Sequence, residues 1–500
     1  MNKKFFGTDG IRGTVNESYL TAETALKLGI AAGKVFTRGS HIHRVVIGKD
    51  TRVSGYMLET ALTSGFTSVG MDVFLFGPLP TPAVAFLTQA LRADLGVMIT
   101  ASHNTYEDNG FKLFGPDGYK LSDENELEIE KLILSDELLK FPKSKYIGKA
   151  KRIDDAQARY IEYAKRSFPK DKTLENIKIV LDCANGASYK VAPETFWELG
   201  ANVIVIGNQP NGKNINLNYG STSTQNLKAK VIKEKADIGI ALDGDADRIV
   251  IIDEKGDEVD GNLLFAVIVK NMKEKELLEN KSIISTIMAN MALEKYLSEI
   301  NLDLVRTSVG DRYLVEGMRK YNSNIGGEPS GHIVMSNFGK TGDGLIAALQ
   351  ILSIMCSDER PLSEIVNLFN LYPQKNITIP INGEDPLTDK DFQKVLKEQE
   401  NILGSSGRII VRKSGTEPIL RIMVESLKAQ LANETANQIS ISIEIYYILS
   451  FVFFRFFDIL KPFPVSYFDK NHKNYFGIIM DDIMAGLYSM ILIYLISLKF

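Results

Sequence analysis

A serine and a histidine stand together in Thr100-Ala-Ser-His-Asn104, directly after the apolar run Leu95–Ile99. A serine just past the carboxyl end of a buried strand lies where open α/β sheets expose reactive groups. Ser102 is thus a candidate acceptor of a transferred group with His103 beside it, although Ser102 or Asn104 could equally cap a helix. A second cluster, Asp243-Gly-Asp-Ala-Asp247-Arg248, follows the apolar run Ile238–Leu242. Its three carboxylates, spaced by small residues, are able to converge on one hard cation, and an all-oxygen set favours Mg²⁺ over Zn²⁺.

Two further loops carry polar chemistry. In Gly326-Gly-Glu-Pro-Ser330-Gly-His332 the glycines permit close backbone approach, while Glu328, Ser330 and His332 offer donors and acceptors suited to sugar hydroxyls. In Arg412-Lys-Ser-Gly-Thr-Glu-Pro418, followed by Arg421, a glycine between Ser414 and Thr416 is bracketed by cations. That pattern has the makings of a phosphate nest around Gly415, and it lacks the Gly-x-x-x-x-Gly-Lys spacing of a nucleotide P-loop. Phe6-Gly-Thr-Asp-Gly-Ile-Arg12-Gly13 sets a charged pair among glycines, and Asn109-Gly-Phe-Lys112 brings an amine close to the Ser102 loop.

The elements that must position these loops follow one rhythm. Short runs rich in branched residues, such as Val45–Gly48, Val73–Phe76, Ile177–Leu181, Val203–Ile206, Ser282–Thr286 and Leu302–Arg306, alternate with helical patterns such as Tyr56–Val69 and Thr81–Leu91. Near-continuous apolar strands alternating with helices predict parallel or mixed sheets covered by helices. Three such blocks follow one another without a direct sequence repeat. A shorter segment, with strand patterns at Arg408–Arg412 and Ile419–Val424, predicts a small α+β domain beyond a junction at Asn376–Asp391.

Length and charge narrow the class. Five hundred residues exceed one core, and 58 Lys+Arg against 62 Asp+Glu leave no basic surplus for nucleic acid. Two cysteines, Cys183 and Cys356, exclude a disulfide framework and fit a reducing compartment. The amino terminus shows no signal-peptide core, so a cytoplasmic location is expected.

Taken together in this order, the motifs over residues 1–438 resemble the α-D-phosphohexomutase family. The opening Phe6–Gly13 motif, Ser308-Val-Gly-Asp-Arg312 and Thr341-Gly-Asp-Gly344 are most similar to its phosphoglucosamine branch. The resemblance implies four domains around a cleft: 1–155 with the phosphoserine loop, 156–255 with the metal loop, 256–370 with the sugar loop and 371–438 with the phosphate loop. It implies that Ser102 carries the phosphate and, with Asp243, Asp245 and Asp247, holds one Mg²⁺. His103, Lys112 and Arg12 would serve phosphoryl transfer. Arg248, Glu328, Ser330 and His332 would bind the sugar, and Arg412, Ser414, Gly415, Thr416 and Arg421 its distal phosphate. The implied reaction interconverts glucosamine 6-phosphate and glucosamine 1-phosphate through a bisphosphorylated sugar, with sugar bisphosphate as activator, and feeds amino-sugar precursors of the cell wall. Thr105 replaces the family's usual proline after Ser-His-Asn. Pro329, where the phosphoglucosamine branch has glutamine, is shared with the phosphomannomutase/phosphoglucomutase branch, which keeps mannose and glucose phosphates as alternative substrates.

Composition breaks near residue 439. Fifteen of the 45 aromatic residues lie in the last 62 positions. There Arg455-Phe-Phe-Asp458-Ile-Leu-Lys-Pro462-Phe-Pro464 and Gly477-Ile-Ile-Met-Asp481-Asp482 resemble the carboxyl-terminal half of phosphatidylglycerophosphatase A, a Mg²⁺-dependent membrane lipid phosphatase. Asp458, Asp481 and Asp482 are the tail's candidate site residues. The family's amino-terminal half is absent, so a fused remnant without lipid phosphatase activity is expected. Its apolar runs suggest membrane-type helices and contact with a membrane.

Overall fold

The computed structural model describes residues 4–497 except 8, 18, 136, 137, 139, 382–385, 414–418 and 468–474, with side chains at 443–450, 475–478, 481 and 493–497 also outside the description. The chain divides into two compact units, Met1–Asn370 and Leu371–Phe500.

The first unit holds three sheets. The first comprises β1 (Ile11–Thr14), β2 (Arg44–Lys49), β3 (Asp72–Pro78), β4 (Leu95–Ile99), β5 (Asp108–Phe114) and β6 (Ala150–Arg152), in the order β1-β5-β4-β2-β3-β6. The second comprises β7 (Lys178–Asp182), β8 (Asn202–Ile206), β9 (Ile238–Leu242), β10 (Ile249–Ile252) and β11 (Glu258–Val259), in the order β11-β10-β9-β7-β8. The third comprises β12 (Ser282–Thr286), β13 (Asp303–Thr307), β14 (Ile325–Gly327) and β15 (Ile333–Met335), in the order β13-β12-β14-β15. Buried strands such as β4 and β9 are apolar on both faces because helices cover both, as the sequence pattern predicts.

A repeat invisible at the level of residue identity emerges in the pairing. In each sheet the first, second and third strands of a unit run parallel, with the first in the middle, and a fourth returns antiparallel beside the third. The sets are β2, β3, β4, β5; then β7, β8, β9, β10; then β12, β13, β14, β15. The Ser102 loop joins β4 to β5, the aspartate loop joins β9 to β10, and the Glu328 loop joins β14 to β15. All three therefore leave the carboxyl end of the third strand of their unit, where such sheets place ligand sites. One apolar core runs through all three sheets, from Val84 and Phe114 through Ile240 and Leu242 to Ile346 and Leu349, and fixes the loops' supports.

The second unit is built on an antiparallel sheet of β16 (Gln374–Pro380), β17 (Gly407–Lys413) and β18 (Ile419–Ser426), ordered β16-β18-β17. Part of the expected junction at 376–391 is thus strand; Pro380 is tolerated because it ends an edge strand. Helix Ala429–Leu460 seals this sheet through Ala432, Ala436 and Ile439, all buried with Leu420, Ile422 and Val424. The composition break at 439 falls inside this one unbroken helix. Helix Tyr475–Ser497 packs against its distal part, with the Phe457 and Tyr488 rings 5.2 Å apart.

The membrane-type tail expected from the apolar runs is not supported. Among the described residues no helix is long and apolar enough to cross a membrane. The uncharged run Ile483–Leu498 begins only after Asp481 and Asp482, inside helix Tyr475–Ser497. Its fifteen helical residues rise about 22 Å, short of the ~30 Å of a hydrocarbon core.

Candidate active site

Ser102 is 2 % exposed and held with φ +51°, a left-handed conformation rare for a side-chain-bearing residue. Backbone of this kind costs about 1–3 kcal/mol and persists only where its surroundings dictate it. Here the Ser102 carbonyl accepts from Asn216 Nδ2 at 2.8 Å and from the Arg52 guanidinium at 3.3 Å, and both also donate to the Asn104 carbonyl. Arg52 is fully buried and paired with Asp50. The loop is therefore clamped from β2's end and from the second sheet's side of the site.

The clamp presents Ser102 Oγ to the aspartates. Oγ donates to Asp243 Oδ2 at 2.6 Å, and the ligand atoms of Asp243, Asp245 and Asp247 lie within 4.8 Å of one another. Gly244 makes this approach possible, since a Cβ there would meet the Ser102 carbonyl at 2.5 Å. Ala246, with φ +59°, turns the loop so that alternate carboxylates face one point. Thr81, at the start of helix Thr81–Ala90, anchors Asp245 through its hydroxyl and, at 2.9 Å, its amide.

Lys112 Nζ reaches Asp245 at 2.8 Å and Asp247 at 2.7 Å, with Asp9 at 3.7 Å. Burial opposes its charge, but these carboxylates raise its pKa well above the ordinary value. Burial and the two neighbouring aspartates push Asp243 well up. Burial would raise Asp247 too, yet Lys112, His332 and Arg248 outweigh it and hold it well below the usual range. The buried oxygens Asp245 Oδ1 and Asp247 Oδ1 have no hydrogen-bond partner. An orphaned pair of carboxylate oxygens beside a serine hydroxyl fits a divalent cation with oxygen ligands.

His103 lies 3.3 Å from both Ser102 Oγ and Arg248 Nη1 through its Nδ1. An arginine only donates, so Nδ1 is the acceptor and the proton sits on Nε2. Burial, then Arg248 and Arg12, bring its pKa down to about 4, so the ring is neutral near pH 7. Arg12 donates to Asp9 at 3.0 Å. Glu328 accepts from Ser330 Oγ at 3.0 Å and from the Gly310 amide at 3.3 Å. His332 is buried between Asp311, at 2.9 Å, and Asp247, at 3.8 Å. Burial opposes its charge, but the two carboxylates raise its pKa well above the ordinary value. His332 thus stands against the aspartate loop, and Glu328 and Ser330 bond to each other in the same connection.

Asp9, Lys120, Asp311 and Thr81 belong to this network but were not singled out by sequence reasoning. Lys120 bridges Asp9 and Asp311, the latter at 2.7 Å. Asp9 and Asp311 stood inside quoted motifs and were legible there; Arg52, Asn216 and Thr81 carried no local signal. In the second unit, Arg412 and Arg421 are direct partners across β17 and β18. Ser414, Gly415 and Thr416 lie outside the described residues. In the tail, Asp458 pairs with Arg455 at 2.5 Å and Asp482 is exposed; the Asp481 side chain lies outside the description. Among the described residues the tail gathers no metal-ligating cluster.

Comparison with known proteins agrees with this geometry. The family description "Phosphoglucomutase/phosphomannomutase, alpha/beta/alpha domain I" matches residues 3–140, domain II matches 158–256, domain III 260–372 and the C-terminal domain 379–441. Residues 422–497 match phosphatidylglycerophosphatase A, overlapping the preceding domain by the length of the shared helix's start and the strand before it. A phosphoglucosamine mutase of Parvibaculum lavamentivorans is 58% identical over 447 residues, 89% of this chain and 99% of that protein. One of a Methylobacterium species is 55% identical over 437 residues, 87% of this chain and 98% of that protein. Among solved structures, a phosphoglucomutase/phosphomannomutase family protein of Burkholderia thailandensis gives a TM-score of 0.74 at 22% identity, covering 88% of this chain and 97% of that one. An Aspergillus fumigatus N-acetylphosphoglucosamine mutase, solved with GlcNAc-6P and magnesium, gives 0.61 at 17% identity, covering 88% and 96%. The chain belongs to the phosphoglucomutase/phosphomannomutase family, in which its near-full-length relatives are phosphoglucosamine mutases.

Proposed function

We propose that the chain interconverts glucosamine 6-phosphate and glucosamine 1-phosphate by way of a phosphorylated Ser102. The observation that carries this reading is the Ser102 hydroxyl, clamped in a strained loop and pointed into three carboxylates beside a buried lysine. In the first step the bond between phosphorus and Ser102 Oγ breaks as a free sugar hydroxyl bonds to phosphorus. The hydroxyl's proton passes to a neighbouring base, for which neutral His103, unprotonated at Nδ1, is suited. The sugar, now bisphosphorylated, turns over, and its other phosphate returns to Ser102 Oγ.

Asp243, Asp245, Asp247 and the phosphate on Ser102 would hold one Mg²⁺. When bound, the ion neutralises charge on the transferring group. Lys112 and Arg12 would add positive charge around the same oxygens, where most of the catalysis of such transfers resides. Arg248, Glu328, Ser330 and His332 would orient the sugar, and Arg412, Arg421 and the loop 414–416 would take its other phosphate. On this reading the domains divide at 155, 255 and 370, and residues 439–500 add nothing to the reaction.

A coupled assay with Mg²⁺ and a trace of sugar bisphosphate tests the substrate. Glucosamine 6-phosphate should be turned over with a higher kcat/KM than mannose or glucose 6-phosphate. Preference for the neutral sugars would overturn the amino-sugar reading and make Pro329 the residue to exchange.

A further inference from the structure

Residues just before β2 and β4 meet at the amino ends of these strands, opposite to the Ser102 loop. β2 and β4 are parallel neighbours, with Val45 opposite Leu95, so His41 and His43 arrive beside Asp94. The two histidine rings lie 4.2 Å apart, on one side of the segment. His41 Nε2 is 2.7 Å and His43 Nδ1 is 3.5 Å from the same carboxylate oxygen, Asp94 Oδ1. The other oxygen of Asp94 accepts from the Arg44 amide at 2.8 Å, which fixes the carboxylate's orientation.

His43 supplies the second observation. Its side chain is 7% exposed and its Nδ1 is buried without a hydrogen-bond partner, facing Asp94. A buried ring nitrogen left unsatisfied calls for an explanation. A tetrahedral zinc with bonds of ~2.0–2.1 Å sets its ligands about 3.3 Å apart, between the two nitrogen–oxygen distances found here. Two imidazoles and one carboxylate suit zinc rather than Mg²⁺ or Ca²⁺. The geometry points to a zinc-class cation site formed by His41, His43 and Asp94, with a fourth position open to water beside the exposed His41 ring. The bound ion would pin the segment ahead of β2 to the start of β4, and the mutase reaction would not depend on it.

Equilibrium dialysis of the purified full-length chain against micromolar Zn²⁺, with millimolar Mg²⁺ present, tests the site. The expected result is one bound zinc per chain and a higher melting temperature with zinc. His41→Ala, an exposed position that the fold tolerates, should weaken binding at least tenfold and remove the thermal shift, and His43→Ala should do the same. Asp245→Asn, which disables the aspartate cluster, should retain the zinc. Absence of zinc from the native chain, its retention by His41→Ala, or its loss in Asp245→Asn would each overturn the assignment.

Discussion

Replacing Ser102 by alanine removes one hydroxyl from a clamp that the Ser102 carbonyl, not the hydroxyl, sustains. Ser102→Ala should therefore fold normally while losing mutase activity by at least about a thousandfold, as expected for removal of a nucleophile that acts as part of a unit. Circular dichroism melting and the coupled assay separate the two effects. Asp182 offers a prediction about stability instead. Burial raises its pKa from 3.8 to about 7, against the amides of Gly220 and Ala184, which lower it. The folded chain then keeps a proton that the unfolded chain releases. Stability from this group is complete below about pH 4 and is lost as pH rises through 7, by roughly 4 kcal/mol at most. Asp182→Asn should flatten that part of the profile in urea midpoints taken from pH 4 to 8. A slope unchanged by the substitution would assign it to other groups.

At the scale of elements, the contact between two loops matters more than either loop. Gly244→Ala would drive a methyl group to 2.5 Å from the Ser102 carbonyl and 2.8 Å from Asn216 Nδ2. One loop must yield, and a displacement near 1 Å at the reacting group costs on the order of 100-fold in kcat. We expect a fall of that order with a melting temperature lowered by only a few degrees; intact kcat would show that the loops need not touch. The strands and the loops' chemistry were legible because buried strands read as continuous apolar runs and because carboxylates and glycines cluster locally. The clamp was not legible. Asn216 stands 114 positions from Ser102, and only the fold makes them neighbours. The structural repeat escaped for a similar reason, since three units share strand order while their sequences show no direct repeat.

At the scale of the whole molecule, the tail is separable from the reaction but not from the fold of the second unit at an arbitrary point. Ile439 is fully buried in that unit's core, while Phe451, Ile459, Phe463 and Met490 are each more than half exposed. Ending the chain after Ser442 should leave kcat within about twofold and reduce aggregation, because an exposed apolar surface is removed. Ending it after Thr435 should instead unfold the second unit and abolish activity, since Ala436 and Ile439 leave a core of few residues. Light scattering and the coupled assay on the two truncations decide this. Should the chain ending at Thr435 remain active, the helix beyond Thr435 would be dispensable as well. The membrane-type tail expected from composition is not supported at this scale among the described residues: apolar residues were counted along the chain, whereas a span also requires an uninterrupted helix of sufficient length.

The shared connection between third and fourth strands has a historical meaning. Three units that place their functional loop at the same point of the same strand order are what duplication of one ancestral module leaves behind. Each copy would then have kept its scaffold and diverged in this loop, one presenting Ser102, one the three aspartates and one Glu328. New chemistry was thus acquired by rewriting connections while the inherited framework stayed constant. An exchange of sugar preference by the same means would begin at the connection between Glu328 and His332.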